Sequence, residues 1–155
     1  TLAALVISFC SLAYQIWRPG LVQAADLLMR FEQNFFGPEK AKQRSLAATN
    51  HIKNPEDFHE MEDILDFFET IAMLTRKRAL DRYMVWHTFD YWIERYYAIA
   101  LPYIHSRQQK EPGLWADLNW LIPELEHLQS KTGNGNVALS PDALRAFLAE
   151  EASEA

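Results

Sequence analysis

The chain has 155 residues, 49% hydrophobic and 13% aromatic, with five glycines, one cysteine and a formal charge of -6. That length suffices for one core without disulfides or a structural metal, and the composition excludes a disordered or collagen-like chain and disfavours a turn-rich β-sandwich. The charge lies in short clusters of both signs, which excludes a broad cationic surface for nucleic acid, and the lone Cys10 excludes an intradomain disulfide, a CxxC redox pair or a cysteine zinc site.

Residues 2–17 carry no charge and end in Tyr14, Trp17 and then Arg18, an aromatic and basic pairing typical of a membrane-water boundary. The spacing predicts a transmembrane anchor over residues 1–18. As a helix, residues 2–17 reach only about 24 Å of the roughly 30 Å hydrocarbon layer, so the anchor is expected to begin upstream of Thr1. Downstream, Arg18, Arg30, Lys40, Lys42 and Arg44 outnumber Asp26, Glu32 and Glu39, which places the main domain on the cytoplasmic side of a bacterial inner membrane. A signal peptide cut near Ser11-Leu12-Ala13 and a buried core helix are the rival readings.

A helical bundle is predicted over residues 20–131. After Pro19-Gly20, apolar residues Leu21, Ala24, Leu27, Leu28, Phe31 and Phe35 recur at helical spacing. Gly37-Pro38-Glu39 restarts the chain into a polar, weakly amphipathic helix with a peripheral place. Asn54-Pro55-Glu56-Asp57 reads as the capped start of a longer helix whose buried stripe is Met61, Ile64, Leu65, Phe68, Ile71 and Ala72. Arg76, Lys77 and Arg78 close it where cations suit a helix C-terminus.

Residues 80–109 form the most aromatic helix, with Val85, Phe89, Trp92, Ile93, Tyr96, Ala100 and Tyr103 on one face and a bend expected at Pro102. Leu114, Leu118, Leu121, Ile122, Leu125 and Leu128 predict a further helix, kinked or split by Pro123. Residues 132–155 read as a flexible Gly/Asn loop and a short helix, capped by Ser140-Pro141-Asp142, that is peripheral or frayed. The fold class is therefore all-α: a bundle of about five helices following an N-terminal transmembrane helix.

Phosphate-binding glycine loops, nucleophile elbows and HExxH helices are absent from the sequence. Glu56 with His59 and Glu124 with His127 form two Glu-x-x-His pairs, and Glu32 and Glu94 complete the ligand order of a four-helix di-iron carboxylate site. The helix dipole already accounts for Glu56, and Glu124 follows Pro123, so neither pair is assigned as metal ligands. Arg82 and His87 resemble the Arg-x(4–6)-His motif of HEPN-type helical ribonucleases, a pattern that Arg44 and His51 also match in its looser form. The ordinary alternative is a surface arginine and a partly buried histidine. Carboxylates Glu56, Asp57, Glu60, Glu62, Asp63, Asp66 and Glu69 read as a solvated face, with Glu69 the exception and Arg82 or Arg95 its expected partner.

Residues 64–108, with Phe67, Phe68, Glu69, Ile71 and Ala72 followed by Phe89, Trp92, Ile93, Tyr96 and Arg107, and then Trp115 and Leu118, resemble a bacterial membrane-anchored helical family catalogued as a domain of unknown function. The likeness spans most of residues 2–130. It implies an N-terminal transmembrane helix, a Phe-Phe-Glu helix and an aromatic-rich helix, and it departs from the family at the intervening turn, where Arg78 or Ala79 replaces a small glycine. No catalytic residue follows from it.

The expectation is a membrane-tethered protein-interaction or sensory adaptor module with no catalytic, cofactor-binding or metal-ligating residue assigned. Its partners are membrane lipid through the N-terminal helix and a protein, with Trp86, Tyr97, Trp115 and Trp120 as surplus aromatics for a contact surface, a second copy of the chain as one option, and no nucleic acid. A di-iron oxidase-like bundle and a HEPN-like ribonuclease are the enzyme alternatives.

Overall fold

The computed structural model describes residues 20–132 and 139–154. Among them are six helices and no strand: α1 over residues 20–35, α2 Pro38–Lys53, α3 His59–Arg76, α4 Arg82–Gln108, α5 Ala116–Lys131 and α6 Pro141–Ser153. The all-α expectation holds. No helix among the described residues is long and apolar enough to cross a membrane, and the anchor expected over residues 1–18 lies outside them, as does nearly all of the predicted loop.

Helix α3 is the hub, packed against α2, α4 and α5. Every member of its predicted stripe is buried, from Met61 at 1% exposure to Ile64, Leu65, Phe68, Ile71 and Ala72 at 0%. Each large apolar side chain so buried contributes roughly 1.5–3 kcal/mol, which outweighs any local propensity in fixing this helix at the centre. The end of α1 docks on it through Phe35, whose ring lies 5.4 Å from both Phe67 and Phe68, 5.6 Å from Phe89 and 5.7 Å from Trp92. At Gly37 an added Cβ would sit 3.0 Å from the Gln33 carbonyl oxygen, so the tight α1–α2 turn favours glycine.

Two elements expected at the periphery each pack one face firmly into the bundle. Helix α2 lies between α3 and α6, with Arg44, Ser45, Ala47 and Ala48 buried. Its small residues let neighbouring backbones approach, and Ser45 Oγ donates to the Ala152 carbonyl at 3.0 Å. Helix α6 is not frayed: Phe147, Leu148 and Glu151 are buried, and Phe147 meets Tyr96 edge-on at 5.1 Å.

A buried charge ties these helices together. Arg44, 2% exposed, donates from Nη1 to the Phe35 carbonyl at 3.0 Å and from Nη2 to Glu154 at 2.7 Å. Its Nε lies 3.0 Å from Glu151 Oε2 without an aligned hydrogen bond, and its guanidinium covers the Phe35 ring at 4.4 Å. The Tyr96 hydroxyl donates to the same Glu151 carboxylate. Burial raises the pKa of Glu151, against which the Tyr96 hydrogen bond and the Arg44 charge both act.

Helix ends also depart from expectation. Asn54 caps the end of α2, its N–H bonded to the Asn50 carbonyl, and its side chain accepts from Glu56 N at 3.3 Å. Helix α3 therefore begins only at His59, after Phe58 has stacked on Tyr103 at 4.5 Å. Helix α5 is not split at Pro123, and Pro102 lies within a continuous α4; both prolines are exposed, where a freed carbonyl can bond water. At the end of α3 the Arg78 N–H bonds Thr75 O and the Ala79 N–H bonds Leu74 O, the paired bonds of a Schellman turn. Arg78 accordingly adopts φ 62°, a left-handed conformation that costs a side chain other than glycine about 1 kcal/mol.

Glu69 has neither of its expected partners. Its carboxylate accepts the backbone N–H of Asp117 at 3.1 Å and of Leu118 at 2.6 Å, capping α5 from across the bundle. The cap is needed because Trp115, at the helix start with φ 52°, supplies none; its indole instead donates to Asp66 at 2.8 Å. Replacing Glu69 by alanine is expected to lower unfolding free energy by about 1–2 kcal/mol. Urea denaturation measures this, and an unchanged midpoint would count against the cap.

Candidate functional site

The residues singled out for chemistry do not converge. Glu32, Glu56, His59 and His127 are exposed, Glu56 lies outside α3, and Glu124 pairs with Arg82. Among the described residues no three His, Cys, Asp or Glu side chains are grouped to hold a metal ion. Arg82 thus pairs with Glu124 and not with His87, which is exposed rather than partly buried and stacks on Tyr83 at 6.5 Å. Arg44 belongs to the buried ion pair and His51 lies against Phe58 at 4.8 Å. Of the acidic run, Glu62 receives both Arg107 and the Tyr103 hydroxyl, so it helps hold α3 to α4.

Two groupings remain that residue spacing did not bring together. One is acidic. Trp86, Asp90 and Glu94 follow one another at four-residue intervals along α4. Asp90 Oδ1 is buried without a hydrogen-bond partner, as is the Trp86 indole nitrogen. Burial pushes the Asp90 carboxyl up to about 6 despite the opposing charge of Arg95. Glu94 rises to about 7, first through burial and then through the Asp90 and Glu126 charges, with Arg95 again opposing. Carboxylates one turn apart inside an aromatic-rich helix were the available signal.

The other is a cationic cleft of about 630 Å³ at the α3–α4 turn. Arg76, Arg78 and Arg82 line it against a single aspartate, Asp81, whose side chain is occupied in capping α4 through Met84 N at 3.0 Å. Trp120 of α5 and Leu21 and Ala24 of α1 supply its apolar walls. Arg76 is steadied by Asp117 at 2.9 Å and lies 5.7 Å from the Trp120 ring, and Arg82 by Glu124. Cations at the end of α3 suit its dipole, but Arg82 opens α4, where a cation opposes the dipole. The helix termini therefore do not account for the whole cluster.

The model of the family described as Domain of unknown function (DUF4760) matches residues 1–124. The chain belongs to the DUF4760 family. No curated protein and no solved structure matches the chain. The DUF4760 match takes in the three arginines of the cleft and Trp120 and ends within α5, so Glu151 of the buried ion pair is supplied by a helix beyond it.

The acidic pair sets a pH dependence. Both carboxyls hold a proton more tightly in the folded chain than in the unfolded one. Their stabilising contribution is complete below the unfolded carboxyl range and is lost as pH rises through about 6 and about 7. Unfolding free energy, followed by urea titration, is expected to fall between pH 5 and pH 8 by on the order of 1 kcal/mol, discounted for partial exposure. The double substitution Asp90→Asn and Glu94→Gln should flatten that slope, and an undiminished slope would contradict the assignment.

Proposed function

We propose that this protein is a membrane-tethered helical interaction module, held by residues 1–18 in a bacterial inner membrane with the bundle on the cytoplasmic side. The observation that carries the reading is the charge-free run over residues 2–17, which has Tyr14 and Trp17 at its end, is followed by Arg18 and leads within a few residues into the bundle. An adaptor or sensory role through protein contacts is supported by the outer face of α1. There Val22 and Met29, seven residues apart, stay 62% and 50% exposed. Side chains at that spacing form one stripe along a helix, the arrangement by which a second helix, including one from another copy of the chain, is gripped.

Fractionation of the full-length product tests the tether. The protein is expected in the membrane pellet and to stay there through alkaline carbonate washing, whereas a chain lacking residues 1–18 moves to the supernatant. Full-length protein recovered entirely in the soluble fraction would overturn the reading.

A further inference from the structure

We propose that the cationic cleft at the α3–α4 turn binds the phosphate of an anionic phospholipid headgroup, an inference that rests on the tethered reading for the source of its ligand. The cleft combines three guanidinium groups with an indole and an aliphatic wall. A guanidinium has five N–H donors in a planar fork suited to phosphate oxygens, and a single ion pair leaves most of them available. Arg76 and Arg82 each have one carboxylate partner, which fixes their direction without consuming their donors. Among the described residues Arg78 makes no ion pair, although it occupies a backbone conformation that favours glycine. An arginine at a position where the backbone favours glycine, and lining a cavity, is better explained by what it binds than by the turn it forms.

Position and charge select lipid over free phosphate. Gly20 lines the cleft and follows Arg18, the end of the apolar leader, by two residues, about 7 Å of chain. A leader embedded in the bilayer therefore sets the cleft at headgroup level, where Trp120 meets the preference of indoles for that layer. Leu21 and Ala24 give the glycerol and first acyl carbons an apolar surface that inorganic phosphate would not use. The chain as a whole carries -6 and is repelled by an anionic membrane, so a basic end beside the leader also orients the domain.

The test uses the full chain in neutral detergent micelles, titrated separately with short-chain phosphatidylglycerol, short-chain phosphatidylcholine and inorganic phosphate. Binding is read from the Trp120 indole N–H and the arginine side-chain signals by nuclear magnetic resonance. Phosphatidylglycerol is expected to shift Trp120 and Arg78 saturably and at least tenfold more tightly than either other probe. Arg78→Gly should weaken that binding at least fivefold while the melting temperature holds or rises, because glycine relieves the left-handed turn; loss of binding therefore cannot be loss of fold. Equal response to phosphatidylcholine, phosphate binding as tight as lipid, or no saturable shift would each overturn the proposal. Because the titration is done in micelles, its failure is distinct from failure of the tether, which fractionation reads.

Discussion

The buried guanidinium of Arg44 constrains the architecture more than any single apolar contact. A charge removed from water must find opposite charge and hydrogen bonds, and truncating one partner of such a pair typically costs about 3–5 kcal/mol. Here those partners are the terminal carbonyl of α1 and the carboxylates of Glu151 in α6 and of Glu154 at its C-cap, Glu151 being also held by Tyr96 of α4. One side chain of α2 thus fixes three other helices, one of which is more than one hundred residues away in sequence. Helix α6 docks because Arg44 would otherwise be unpaired, and Phe147 and Leu148 add the apolar area that holds it.

Helix α3 applies the same economy to the other half of the bundle. One face is the core stripe, while Asp66 and Glu69 at its edge hold Trp115 and the first turn of α5. That carboxylate cap sets where α5 starts and hence where Trp120 stands, one helical turn later. The Schellman turn at the other end of α3 delivers Arg78 to the same cleft. The candidate site is therefore assembled from helix termini whose positions the core dictates.

Apolar periodicity made the α3 stripe, most of the α4 face and the leucines of α5 legible in the sequence, because burial of large side chains repeats with the helix. Polar tertiary contacts were not legible. Glu69 looked like an ion-pair partner since a cap supplied by another helix leaves no local pattern. Helix α2 looked peripheral because its sequence is polar and weakly amphipathic, and the partners of Arg44 and Ser45 lie in α6 and at its end, beyond a loop of glycine and asparagine. Asn54-Pro55 carried the marks of a helix start but serves the end of α2, and the real start is at His59, just after Phe58 stacks on Tyr103. The basic run was explained by the α3 dipole alone, and only its meeting with Arg82, Trp120 and α1 in space makes it a cleft.

Amide hydrogen exchange across residues 147–152 of the full chain tests most directly whether the Arg44 charge draws the last helix into the bundle. Protection within about tenfold of the α4 core, and its loss on Arg44→Met, is the predicted result. Exchange of those amides at the rate of an unstructured tail in the unaltered chain would contradict the account.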